Sequence, residues 1–99
     1  MKSMKTPNQT ALLRESSETL RAIAHPLRLR IIELLHSNKQ LTVTEIHKEL
    51  QVEQAVASHH LRILKGKRVV DLERDGKNSL YFLANSAFYD IVRIISDNT

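Results

Sequence analysis

The chain has 99 residues, 41% of them apolar and 26% charged, enough for one small domain with little core to spare. Its lack of cysteine excludes disulfides, thiolate metal sites, iron–sulfur clusters and cysteine-based catalysis or redox sensing. A formal charge of +4 hints at an anionic partner. No run approaches the roughly 18 apolar residues of a membrane span, and residues 1–10 lack a leader's apolar stretch, so a cytoplasmic protein is expected with no membrane partner.

Residues 1–9 are polar, contain Pro7 and read as a flexible tail, leaving a single domain over residues 10–99. From Thr10 to Ala24, Leu13, Leu20, Ile23 and Ala24 fit a sparse helical stripe that calls for a partner. Pro26 suits the first position of a new helix, where its missing N–H costs nothing. That helix reaches about Ser37, burying Leu27, Ile31, Leu34 and Leu35 and exposing Arg28, Arg30 and Glu33.

Leu41 and Val43 form a very short strand before a third helix, whose start Thr42 or Thr44 caps by accepting a backbone hydrogen bond and whose Ile46 and Leu50 face inward. A brief break at Gln51–Val52 precedes a fourth helix from about Glu53 to Lys65, with Ala57, Leu61 and Leu64 on one face. Gly66 is expected to supply the left-handed residue that ends it. Two short helices around so tight a turn make a helix-turn-helix.

The period then changes from helical to alternating. Val70, Leu72, Leu80 and Phe82 alternate with polar residues around Asp75-Gly76-Lys77-Asn78, a strong hairpin signal. Phe88, Ile91, Val92 and Ile95 mark a last amphipathic helix over about Ser86 to Asp97. The fold class is mainly α with a β-hairpin: a winged helix-turn-helix of about five helices.

The positive charge is concentrated. Residues 53–70 set Arg62, Lys65, Lys67 and Arg68 against Glu53, a local +3, while residues 71–99 sum to −2. At 100° per residue, burying Ala57, Leu61 and Leu64 turns Gln54, Ala55, Ser58, His59, Arg62 and Lys65 outward. Those groups suit double-stranded DNA. In the major groove Gln pairs with adenine, Arg with guanine, and Ala55 or Val56 can touch a thymine methyl; Ser58, His59 and Lys65 can donate to phosphates. Arg74 and Lys77 at the hairpin tip would reach the flanking backbone or minor groove, against the pull of Asp71, Glu73 and Asp75. A basic helix by itself is equally consistent with a solvated face.

Residues 56–65, ValAlaSerHisHisLeuArgIleLeuLys, resemble the recognition helix of the ArsR/SmtB family of bacterial repressors. Residues 20–35 resemble the family's ALADPxRLRIL segment, with His25 where Asp is usual, and Arg74-Asp75-Gly76-Lys77 before Ser79-Leu80-Tyr81-Phe82 is similar to its wing. The resemblance implies a homodimeric repressor that binds an inverted repeat and is released by an inducer it does not identify. It also implies dimerisation through the first and last helices, here Leu13, Leu20 and Ile23 with Phe88, Ile91, Val92 and Ile95; plain intrachain packing is the alternative for each. Glu53, Ala55 and Val56 stand where relatives carry Ser or Thr, so readout leans on apolar contact and Arg62.

One family metal site would fall on Thr42 and Thr44, and the other on Asn85, Ala87 and Asn98, all poor ligands for borderline ions. No metal and no cofactor are therefore expected. His59 reads as a donor to DNA and His60 as a packing residue; His25 is a turn or cap residue, and His36 and His47 lie on the surface. Two other readings stay open: a winged helix used for protein–protein contact, and a metal-responsive repressor with a non-standard His/Asp site. No nucleophile–base pair, carboxylate dyad or phosphate loop suggests an enzyme.

Overall fold

Proline and histidine set the first helix boundary. A computed structural model describes residues 7–99, and its helix α1 runs from Pro7 to Ile23. Pro7 opens α1 in the first turn, where no backbone donor is needed. The helix therefore takes in Pro7–Gln9 of the segment read as tail and starts before Thr10; residues 1–6 lie outside the described residues. Helix α2 spans Pro26–Ser37, with Pro26 at its first position and His25 as its N-cap. His25 Nδ1 accepts from the Leu27 N–H at 3.1 Å, satisfying a donor that the helix start leaves free.

The rest follows as β1 (Leu41–Thr42), α3 (Val43–Leu50), α4 (Gln54–Gly66), β2 (Val70–Asp75), β3 (Asn78–Leu83) and α5 (Ala87–Asp97). Thr42 caps α3 in a reciprocal box: its hydroxyl accepts from the Glu45 N–H at 3.1 Å, and Glu45 accepts from the Thr42 N–H at 2.8 Å. Val43 belongs to α3, not to the strand, because the capping box starts the helix there. Gln51 ends α3 in the left-handed conformation (φ 58°), and the α3–α4 turn closes with His47 Nδ1 3.0 Å from the Val52 carbonyl oxygen. His47 is thus half-buried, not a free surface residue.

Gly66 is not the left-handed residue after α4. It is the last helical residue, and the chain reverses at Arg68 with φ 60°. The hairpin pairs Val70 with Leu83, Leu72 with Tyr81 and Asp75 with Asn78, leaving Gly76-Lys77 as a two-residue loop. Only Gly76 has positive φ (64°) there, as in a type II′ turn. The third strand, β1, adds to the outer edge of β3 in the order β1-β3-β2. Opposed residues share a face, so Val70, Leu72, Tyr81 and Leu83 lie on one side. Leu80 and Phe82 lie on the other, with Glu73 and Asp71.

One core joins these elements. Ile31, Ile32, Ile46, Ala57, Leu61, Leu64 and Val69 are fully buried, with Ile23, Leu35, Val70 and Val92 nearly so. Ile32 joins this core, whereas Leu27 at the start of α2 is only half-buried and Arg28, expected to be exposed, is half-buried too. His36, exposed as expected, stacks on Tyr89 at 3.5 Å between ring centroids, fixing the end of α2 against α5. The architecture is a winged helix-turn-helix, with α3 and α4 as the bihelical unit and β2–β3 as the wing.

Candidate nucleic-acid interface

Burial of Ala57, Leu61 and Leu64 fixes the rotation of α4, so its opposite side faces water. Gln54, Ala55, His59, Arg62 and Lys65 are exposed there and Ser58 is half-buried, the outward set the helical spacing gives, and Val56 is exposed beside them. Neither Arg62 nor Lys65 has an ion-pair partner among the described residues, where the salt bridges are Arg30–Glu33, Lys67–Glu18 and Arg93–Asp97. These cations remain available to a polyanion. Glu53 N-caps α4 without a side-chain bond, its carboxylate at the positive end of the helix dipole.

Lys67 has a different task. Its Nζ lies 3.0 Å from Glu18 Oε1, tying the end of α4 to α1. The hydrogen bond and charge of Lys67 hold the Glu18 carboxyl below its ordinary range. Part of the local +3 is therefore internally neutralised. On the wing, Arg74 and Lys77 are exposed. Asp71 accepts its neighbour Leu72 N–H at 2.8 Å, and Glu73 accepts from Gln40, which anchors the wing to the loop before β1.

A second surface is apolar. Leu13 on α1 and Ile95 on α5 are 63% and 59% exposed, and Leu20 is 50% exposed. Leu12 and Ile94 add 63% and 61% at positions that sequence reasoning passed over. The adjacent pairs Leu12-Leu13 and Ile94-Ile95 were the available signal, because doublets widen a helical stripe beyond one row. Ile91 and Phe88 are half-buried, and a hollow of about 310 Å³ lies between Leu20, Leu29, Ile91 and Ile95. Ile23 and Val92 are corrections to the expected dimer set. They are 4% and 3% exposed and belong to the protomer's own core cluster.

Three of the polar side chains at the family metal positions are engaged locally. Thr42 is in its capping box, Asn85 Oδ1 accepts from the Ala87 N–H at 2.8 Å, and Asn98 Nδ2 donates to the Ile94 carbonyl at 2.7 Å. Among the described residues no three His, Cys, Asp or Glu side chains are grouped to hold a metal ion, and no helix is long and apolar enough to cross a membrane.

Comparison with known proteins places this geometry. A helix-turn-helix domain family matches residues 23–73. The transcriptional repressor PagR of Bacillus anthracis is 33% identical over 84 residues, 85% of this chain and 84% of PagR. The transcriptional repressor SmtB of Mycobacterium tuberculosis is 40% identical over 86 residues, 87% of this chain and 63% of that protein. Among solved structures, PagR superposes with a TM-score of 0.78 at 32% identity, covering 87% of this chain and 98% of PagR. A homodimeric winged helix-turn-helix DNA-binding domain from Mycobacterium bovis gives 0.84 at 24% identity, covering 97% and 91%, which speaks for the fold. The chain belongs to the ArsR/SmtB family of winged helix-turn-helix transcriptional regulators, a DNA-binding family and not one of enzymes.

Proposed function

We propose that the protein is a homodimeric transcriptional repressor that reads an inverted-repeat operator with α4. The observation that carries this is the outer face of α4, where Arg62 and Lys65 stand exposed, without ion-pair partners among the described residues, beside Gln54, Ala55, Val56, Ser58 and His59. Arg62 and Gln54 supply the bidentate groups that discriminate bases, and Ala55 and Val56 supply apolar contact for thymine methyls. Lys65, His59 and Ser58 hold phosphates and set the register. Arg74 and Lys77 extend the contact from the wing.

The dimer forms through the apolar seam of α1 and α5, with Leu13, Leu20, Phe88, Ile91 and Ile95 at its centre and Leu12 and Ile94 beside them. Two copies of α4 then address successive major grooves about 34–36 Å apart. Such a regulator works on the chromosome, in the cytoplasm.

Selection from a random duplex library at about 150 mM salt, with sequencing of the bound fraction, tests the reading. The expected result is an enriched inverted repeat with half-sites about one helical turn apart. Diffuse binding without enrichment would overturn it.

A further inference from the structure

His60 is the one buried polar side chain among the described residues, 6% exposed on the inner side of α4, next to the outward His59. Arg28 Nε donates to His60 Nδ1 at 3.0 Å, and Arg28 Nη1 donates to the Ala22 carbonyl, also at 3.0 Å. Ala22 lies in the last turn of α1, Arg28 in the first turn of α2 and His60 in the middle of α4. One guanidinium therefore ties three helices together. The His25 ring, itself engaged in capping α2, packs against His60 with centroids 4.4 Å apart.

We propose that Arg28 and His60 are positioning residues for DNA recognition: their hydrogen bond sets the seating of α4 on the body, and protonation of His60 breaks it, so operator binding weakens in mild acid. The inference rests on the DNA-binding reading of α4. A ring nitrogen that accepts from a guanidinium must keep its lone pair, so His60 is neutral when the bond is made. An imidazolium donates from both nitrogens and would face the Arg28 cation with no lone pair to offer.

The groups acting on His60 are His25 from the α1–α2 junction, Arg28 from α2 and His59 from α4 itself, all of them basic. Burial foremost, then His25, Arg28 and His59, hold the ring below the ordinary histidine value. A depressed histidine favours the folded arrangement above its unfolded pKa of about 6.5, and that contribution is lost as pH falls below it. Exposed His59 lies on the face that meets phosphates, where added positive charge tightens binding. Acid weakening thus separates the buried latch from surface electrostatics.

The test is the affinity of the full-length dimer for its selected operator between about pH 8 and pH 5.5 at constant salt. Wild type should lose affinity as pH falls below the ordinary histidine range, by at most about tenfold per pH unit. In His60→Gln the amide oxygen can still accept from Arg28 but does not titrate, and affinity should no longer fall. In the free protein, the Arg28 Nε–H chemical shift should move together with the His60 ring-nitrogen shifts as the ring takes up its proton. Arg28→Lys, which keeps the charge without the planar fork, should bind more weakly than wild type at pH 8.

Equal pH profiles for wild type and His60→Gln, or an Arg28 Nε–H shift that stays at its pH 8 position after the His60 ring has titrated, would overturn the latch while leaving DNA binding intact. A wild type that binds no operator even at pH 8 overturns the DNA-binding reading, and this proposal with it.

Discussion

The outer face of α4 holds Arg62 and Lys65 in water with no carboxylate of the described residues paired to them, while the seam of α1 and α5 leaves Leu13, Leu20, Ile94 and Ile95 at least half exposed. The two surfaces differ in what water does for them. Solvated cations cost nothing on an isolated chain, and their gain appears only when a polyanion releases its counterions to them. Leucine and isoleucine left half exposed forgo about 1–1.5 kcal/mol apiece, roughly half the gain of full burial. A domain of this size covers only about 60–65% of its unfolded surface, so the seam is where a second copy adds most. On the proposed reading the α4 face answers to the operator and the seam to the partner subunit, and substitutions should separate the two.

The largest effect is expected at the seam. Ile95→Glu places a charge at a position 59% exposed in the single chain, so the protomer should fold while the dimer does not form. Sedimentation should report monomers. Operator affinity should drop by about a hundredfold or more, because the second half-site no longer adds its effective concentration. A stable Ile95→Glu dimer would remove the α5 stripe from the interface.

A smaller and cleaner loss is expected on the other surface. Arg62→Ala should weaken operator binding by about 1–3 kcal/mol and relax base preference at one position of each half-site. The same variant should sediment as the wild-type dimer. Unchanged operator affinity would take Arg62 out of the site, and a change in oligomeric state would undo the division between the two surfaces.

The arrangement of elements is carried by local signals. Pro26 after His25, the Thr42–Glu45 box and the Asp75–Asn78 turn each force one backbone geometry whatever surrounds them. The outward set of α4 was legible for the same reason, since three buried positions fix a helix's rotation. Depth of burial was not. Ile23 and Leu20 lie on one stripe of α1, yet Ile23 is 4% exposed and Leu20 50%, because only the former reaches the core cluster. Periodicity names a face but not the layer of atoms that will cover it. The Arg28–His60 bond joins residues 32 apart in the chain, and nothing local in either helix announces the other. Gly66 misled because glycine favours the left-handed region without requiring it; Arg68 takes that conformation, next to the buried Val69.

The wing offers the smallest effect and the finest test of the charged surface. Arg74 and Lys77 share β2–β3 and its turn with Asp71, Glu73 and Asp75, a net −1, whereas the outer face of α4 sets Arg62 and Lys65 against Glu53 alone. Lys77 lies in the turn, at the part of the hairpin farthest from the core, where it can reach a phosphate only with its neighbours' carboxylates close behind. Lys77→Ala should therefore weaken binding to all duplexes alike by less than about 1 kcal/mol and reduce the slope of affinity against salt by about one counterion. Both quantities come from one titration series of operator and scrambled duplex at several salt concentrations. A loss confined to the operator would mean that Lys77 reads bases in the minor groove, and the wing would then join α4 as a source of specificity. No change in the salt slope would leave the hairpin outside the contact, with α4 alone carrying the charge that meets DNA.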